Sequence, residues 1–327
     1  MKAIVATQFG PPEVLQLQEV DKPTPKDNEV LIKVRATTVN IGDIRMRSFD
    51  VPPLFRLPAH FTLGFSQPKH PIYGMELAGE VEAVGKNVTR FKLGDEVFAS
   101  TLDHHFGAHA EYKCLPEDGA IMTKPNNLSY EEAATLALSA NTALFFLQAA
   151  HIQPGHKVLI NGASGSVGTF ALQITKYYGA EVTAVCSTRN IALVKSLGAD
   201  YVIDYTQADF TQSGETYDVI FDAAGTTKYA QAKRALKPNG YYLHTIIVAA
   251  GFQGLLQTLK KNKHVIGGTA VPRREALATL KELAEAGRLK SVIDRCYPLA
   301  DTAEAHRYVE TKHKTGNVVI TLDRQHA

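Results

Sequence analysis

A chain of 327 residues with 45% hydrophobic content has enough apolar material for two globular cores. Its 35 basic and 33 acidic side chains nearly cancel, leaving a formal charge of +2. That balance excludes a general electrostatic surface for nucleic acid or anionic membrane. No run approaches the roughly 18 apolar residues of a membrane span, and Ala3-Ile4-Val5-Ala6 is too short for the core of a signal peptide. Three widely spaced cysteines, Cys114, Cys186 and Cys296, make neither a disulfide framework nor a metal cluster. A cytoplasmic enzyme is the expected class.

The first 120 residues or so carry short β-branched runs broken by Gly and Pro. Val30–Ala36, Ala78–Val84, Glu96–Ser100 and Ala108–Leu115 read as strands of a β-rich, barrel-like domain. Residues 50–73 interrupt them with Pro52, Pro53, Pro58, Pro68 and Pro71 among Phe55, Phe61 and Phe65. This segment reads as an ordered loop rather than an element, serving either as a cover over a site or as an oligomer contact. Ser129 followed by Glu132 fits a capping box, and a mostly apolar helical stretch runs from there toward Ala150, stopping at Pro154-Gly155. From Lys157 onward strands and helices alternate. The expected strands are Lys157–Ile160, Glu181–Cys186, Tyr201–Asp204, Asp218–Asp222, Gly240–Ile247 and His264–Gly268. Such alternation implies an α/β domain with a doubly wound parallel sheet. Arg273–Gly287 reads as a further helix, and Val318–Leu322 as a last strand returning to the first domain.

The most informative stretch is Lys157-Val158-Leu159-Ile160-Asn161-Gly162-Ala163-Ser164-Gly165-Ser166-Val167-Gly168. A buried strand, a glycine turn and a helix (Thr169–Tyr178) open a dinucleotide-binding unit. The match is A-x-G-x-x-G, weaker than the full fingerprint, and the following strand Glu181–Cys186 supplies the βαβ frame it requires. Gly162, Ala163, Gly165, Ser166, Val167 and Gly168 therefore read as the phosphate cradle at a helix N-terminus. An NAD site places a carboxylate about 20 residues on, at the end of the second strand. Here that window reads Val185-Cys186-Ser187-Thr188-Arg189-Asn190. Ser187, Thr188 and Arg189 suit a 2′-phosphate, which predicts NADP(H); the bland reading of Arg189 is a cap on a surface loop.

These features resemble the medium-chain dehydrogenase/reductase superfamily over essentially the whole chain. Met1-Lys2-Ala3, Gly74-Met75-Glu76-Leu77-Ala78-Gly79, Val84-Gly85, Phe91-Lys92-Leu93-Gly94-Asp95-Glu96-Val97, Leu197-Gly198-Ala199-Asp200, Phe221-Asp222-Ala223-Ala224-Gly225 and Gly316-Asn317-Val318-Val319 carry the resemblance. It implies a GroES-like β domain at 1–124 and 270–327, and a Rossmann domain at 125–269. The zinc enzymes of this superfamily ligate metal where Asn40 and Met75 stand here, and the four-cysteine lobe is absent. Zinc needs about four N, S or O ligands, or three plus water. His104-His105 and His109 read as surface or substrate-loop residues rather than ligands, so no zinc is expected.

The remaining pattern is similar to the zinc-free quinone oxidoreductase, or zeta-crystallin-like, branch. That resemblance implies that Asn40 and Asp43 line the nicotinamide pocket. It also implies that Thr142 lies beside the nicotinamide, Tyr205 near the adenosine end, and Ala224, Gly225 and Asn317 along the cofactor cleft. The expected reaction is hydride transfer from NADPH to a quinone or similar conjugated carbonyl. In it Asn40 orients an oxygen or the nicotinamide amide, and Asp43 acts as an orienter, being ionised at neutral pH with an ordinary value of about 3.9. The plain alternative for both is turn stabilisation. Reduction of the double bond of alkenals or enones, and a non-enzymatic NADPH-binding structural or regulatory role, are the rival functions. The resemblance also implies a homodimer, through the sheet edge near Tyr241–Ile247. Cys114 and Cys186 read as inert core thiols.

Overall fold

The computed structural model describes residues 1–51, 53, 56–245 and 263–322. Met1–Leu138, Val271–Glu285 and Ile293–Ala327 cluster as one compact unit, and Ser139–Ala270 with Ala286–Val292 as a second. Among the described residues no helix is long and apolar enough to cross a membrane.

The first unit is built on strands β3 (Glu29–Val39), β4 (Glu76–Val84), β5 (Glu96–Ser100), β6 (Tyr112–Pro116) and β7 (Ile121–Thr123), joined by β14 (Ile293–Pro298) and β15 (Asn317–Thr321). The order is β14-β15-β3-β4-β5-β7, with β6 also paired to β3. Strands β1 (Lys2–Ala6) and β2 (Leu15–Glu19) form a separate antiparallel pair. Val30, Ile32 and Val34 share one face of β3 and pack in one core cluster with Leu77, Val81, Val97 and Ile121, while Leu31 and residues 36–39 are buried as well. A second cluster gathers Ile4, Val39, Ile44, Tyr73, Val309, Val318 and Ile320. The last strand pairs antiparallel with β3 in the register Val318↔Val39. That register brings the start of β15 beside the end of β3, and so Asn317 beside Asn40.

The second unit holds six strands: β8 (Lys157–Asn161), β9 (Glu181–Cys186), β10 (Tyr201–Asp204), β11 (Tyr217–Asp222), β12 (Leu236–His244) and β13 (His264–Gly267). They pair in the order β10-β9-β8-β11-β12-β13, parallel throughout. This is the doubly wound dinucleotide order, with ligands taken at the carboxyl ends of the strands. Val158–Ile160, Val182–Val185 and Val219–Phe221 are each buried, the continuous apolar reading of strands covered on both faces.

Four expectations are corrected. Segment 50–73 is not all loop: Arg56–Leu63 is helical. Pro58 is third in that helix, where the missing N–H would have no helical partner. Pro52 and Phe55 lie outside the described residues. The stretch after Ser129 is not one helix. The capping box forms, with Ser129 Oγ accepting from Glu132 N–H and Glu132 accepting from Ser129 N–H. The chain then runs as a short helix to Ala133, a π-helical turn at Leu136–Ala140 and a second helix at Asn141–Ala149. The strand expected to expose the sheet edge is internal, because β12 is hydrogen-bonded to β11 on one side and β13 on the other. Among the described residues the sheet ends at β10 on one side and β13 on the other; residues 246–247 of the expected contact lie outside the described residues. Finally, His109 is in a loop but not at the surface: it is fully buried, and a ring nitrogen bonds the Thr38 carbonyl at 2.9 Å.

Candidate active site

The glycine turn of the second unit shows why each small residue is there. Gly162 and Ala163 both donate backbone N–H bonds to the Val185 carbonyl at 3.1 and 3.0 Å, fastening the turn to the end of β9. Gly162 has φ +80°, and a Cβ there would lie 2.8 Å from that of Ala224. A Cβ on Gly168 would lie 2.1 Å from the Gly162 carbonyl oxygen, so the helix approaches the turn as only glycine permits. That helix, Ser166–Tyr177, begins at Gly165 with no side-chain cap and no acidic residue in its first turn. An N-terminus left without an anionic or side-chain cap, reached through backbone alone, fits a pyrophosphate.

The loop after β11 is pinned beneath this turn. Ala223 and Ala224 donate to the Asn161 carbonyl at 3.0 and 3.2 Å. The buried Asp222 carboxylate accepts from Asn161 Nδ2 at 2.9 Å, Gly225 N–H at 2.9 Å, Thr227 N–H at 2.9 Å and the Tyr242 hydroxyl at 3.1 Å. Gly225 takes φ +67° to meet it. Asp222 and Asn161 shape the loop from within the protein. Sequence inspection had no signal for this beyond the strand-end position of both residues.

At the end of β9, Asn190 Nδ2 donates to Ser164 Oγ at 3.0 Å and to Ser187 Oγ at 3.3 Å, tying the expected 2′-phosphate loop to the glycine turn. Thr188 and Arg189 are exposed beside it, as is Tyr205, whose backbone N–H bonds the Cys186 carbonyl at 3.1 Å. The structure adds a residue that the spacing rule did not reach. Asp204, at the end of β10, accepts from Thr188 Oγ1 at 2.5 Å. Thr142 sits one residue into the helix Asn141–Ala149 of the same unit.

In the first unit Asn40 caps the helix Ile41–Ser48, accepting from Gly42 N–H at 3.0 Å through Oδ1. Asp43 completes a capping box by accepting from Asn40 N–H at 3.0 Å, and its other oxygen accepts from Gly74 N–H at 3.0 Å. Burial raises the Asp43 carboxyl above its usual range, against the lowering effect of His109 and of those N–H groups. Asp43 is therefore sealed in the protein and fixes the Asn40 and Gly74 backbones. Among the described residues Asn40 Nδ2 is buried with no hydrogen-bond partner. Asn317, 2% exposed, starts β15 next to it. The Glu76 carboxylate accepts from Thr38 Oγ1 at 2.7 Å and Leu138 N–H at 2.7 Å. Met75 closes over Gly42, where a Cβ would lie 2.7 Å from Met75 Cε. Among the described residues no three of His, Cys, Asp and Glu converge to hold a metal. Burial pushes the Cys114 and Cys186 thiols up to about 11, away from the nucleophilic thiolate.

A GroES-like β unit joined to a six-stranded parallel sheet with this turn defines an NAD(P)H-dependent oxidoreductase of the alcohol dehydrogenase type. The alcohol dehydrogenase GroES-like domain family matches residues 26–126, and the zinc-binding dehydrogenase family matches residues 197–320. The quinone oxidoreductase of Sus scrofa is 33% identical over 98% of both chains. The chloroplastic NADPH-dependent alkenal/one oxidoreductase of Arabidopsis thaliana is 32% identical over 98% of this chain and 79% of its own length. The structure of the quinone oxidoreductase from Coxiella burnetii superposes with a TM-score of 0.88 at 30% identity, covering 98% of this chain and 99% of that one. The chain belongs to the medium-chain dehydrogenase/reductase superfamily, in its quinone oxidoreductase branch.

Proposed function

We propose that this protein is a zinc-independent NADPH-dependent reductase that passes a hydride to a quinone or a similar conjugated carbonyl. The observation that carries the reading is the glycine cradle of Gly162, Ala163, Gly165, Ser166, Val167 and Gly168, with its close approach at Gly168. When bound, the nicotinamide supplies the hydride, and the protein supplies binding and orientation. Ser187 and Arg189 hold the 2′-phosphate through an O–H donor and a guanidinium. Tyr205 flanks the adenosine end, and Ala224 and Gly225 border the pyrophosphate. Thr142 and Asn317 border the nicotinamide. Asn40 Nδ2 donates to the acceptor oxygen or to the nicotinamide amide, and Asp43 holds the Asn40 backbone in place. A conjugated acceptor needs no metal to polarise it, which matches the amide and thioether at positions 40 and 75.

The test is loss of the reduced-nicotinamide absorbance with NADPH and NADH, against a quinone and an enal, after treatment with a chelator. NADPH-selective turnover that survives chelation supports the reading. A strong preference for the enal moves it to an alkenal/enone reductase, the alternative that the Arabidopsis relative favours. Tight NADPH binding without turnover of any acceptor favours a non-enzymatic binding protein. Asn40→Ala is expected to lower turnover while leaving NADPH affinity near wild type; unchanged turnover removes Asn40 from the mechanism. The reading also includes a cytoplasmic homodimer, the assembly that the family resemblance implies. A monomeric mass by light scattering would end the dimer.

A further inference from the structure

The loop that follows β9 carries features of two opposite kinds. Ser187 Oγ accepts from Asn190 Nδ2 at 3.3 Å, and its hydroxyl keeps one proton that it can donate. Arg189 adds a guanidinium with several N–H donors. Thr188 is different, because its single proton is committed to Asp204 at 2.5 Å. Its oxygen therefore offers only lone pairs. Asp204 is brought there by the pairing of β10 with β9, whose register sets Asp204 opposite Cys186, the last residue of β9. The same carboxylate accepts from Thr206 N–H at 3.0 Å and Thr206 Oγ1 at 2.8 Å, and from Gln207 Nε2 at 3.4 Å. Those bonds, Thr188's foremost, hold the exposed Asp204 carboxyl below its usual range, so it is an anion at any working pH.

A dinucleotide on this fold sets its ribose 2′ group at the end of the second strand, which here is β9. A 2′-phosphate carries about −1.5 to −2 charges at neutral pH and only accepts hydrogen bonds. It gains from Ser187 and Arg189, and it is repelled by Asp204 and by the lone pairs of Thr188. A 2′-hydroxyl can donate to either oxygen. We infer that Asp204 is a specificity-determining residue that restrains the preference for NADPH and keeps the site open to NADH, acting through its charge and through its hold on the Thr188 proton. The inference rests on the cofactor reading proposed above.

Dissociation constants for NADPH and NADH, measured by fluorescence on the full chain, test it directly. Adenosine 2′,5′-bisphosphate and 5′-AMP serve as probes of the same end of the site without the nicotinamide. Asp204→Asn removes the charge, keeps the shape and releases Thr188. It is expected to raise the ratio of NADPH to NADH affinity roughly tenfold, the size of effect for one charge removed several ångströms from a phosphate near the surface. The bisphosphate-to-AMP ratio should move in the same direction. Thr206→Ala trims the turn around the same carboxylate without altering charge, and both ratios should stay at the wild-type value. If Asp204→Asn leaves both ratios unmoved while Arg189→Glu collapses NADPH binding, this inference alone is overturned. Equal shifts from Thr206→Ala and Asp204→Asn also overturn it, since the cause would be the turn rather than the carboxylate. A wild type that binds neither dinucleotide overturns the cofactor reading and this inference with it.

Discussion

Gly168→Ala isolates the close approach on which the cofactor reading depends. The added Cβ would lie 2.1 Å from the Gly162 oxygen and 2.8 and 2.9 Å from the Ala163 Cα and carbonyl carbon, all backbone atoms. Side-chain rotation cannot relieve the contact; the helix must move back from the turn by about the 0.9 Å that separates 2.1 Å from the 3.0 Å floor for real Cβ contacts. Overpacking of this kind costs about 1–3 kcal/mol, partly offset by the roughly 1 kcal/mol that alanine gains over glycine in a helix. Stability should therefore fall modestly, by up to about 2 kcal/mol in chemical denaturation. Binding should suffer far more, because a displacement near 1 Å at a positioned site can cost up to about a hundredfold. NADPH titration of the same folded sample reads this directly. Gly155→Ala is the matched control: it has φ +81° with nothing within 4 Å of its Cβ. It carries backbone strain of about 1–2 kcal/mol but leaves NADPH affinity intact. Wild-type NADPH affinity in Gly168→Ala would refute the argument that this contact shapes the cradle.

Arg189→Glu should weaken NADPH much more than NADH in parallel titrations, and equal losses would remove Arg189 from 2′-phosphate recognition. Asp43→Asn replaces an oxygen that accepts from a backbone N–H with an amide nitrogen that cannot. It should cost about 1–3 kcal/mol in urea unfolding, less whatever is regained by removing a buried charge; undiminished stability would show that the lost N–H bond matters little. Lys314 supplies a pH signature. Its ammonium donates to the Gly316 carbonyl at 2.6 Å, and burial pushes it down to about 8, with Asp294 and Glu76 opposing. The unfolded chain keeps that proton up to about 10.4, so between these values the unfolded state binds more protons and stability rises with pH. Wild type should gain on Lys314→Met between pH 8 and about 10 in denaturation series, and a constant gap would exclude Lys314 as the source.

Much of the architecture was legible because its signals are local. The run Val158–Ile160, the turn Gly162–Gly168 and the regular alternation up to His264 are properties of neighbouring residues, and the strand at Tyr201–Asp204 matches its expected bounds. The capping box at Ser129 was equally readable, since it spans four residues. What the sequence could not decide is what distant segments do to one another. Sheet order differs from chain order, so only the fold shows that β12 lies inside the sheet, between β11 and β13. Burial of His109 against Thr38 joins residues 71 positions apart. The register Val39↔Val318 is what sets Asn317 beside Asn40. The window after β9 holds no carboxylate when read along the chain, yet parallel pairing with β10 delivers Asp204 to Thr188. Local periodicity and turn chemistry determined which elements form; the pairing of strands, a long-range choice made by burial and hydrogen bonding together, decided which side chains meet.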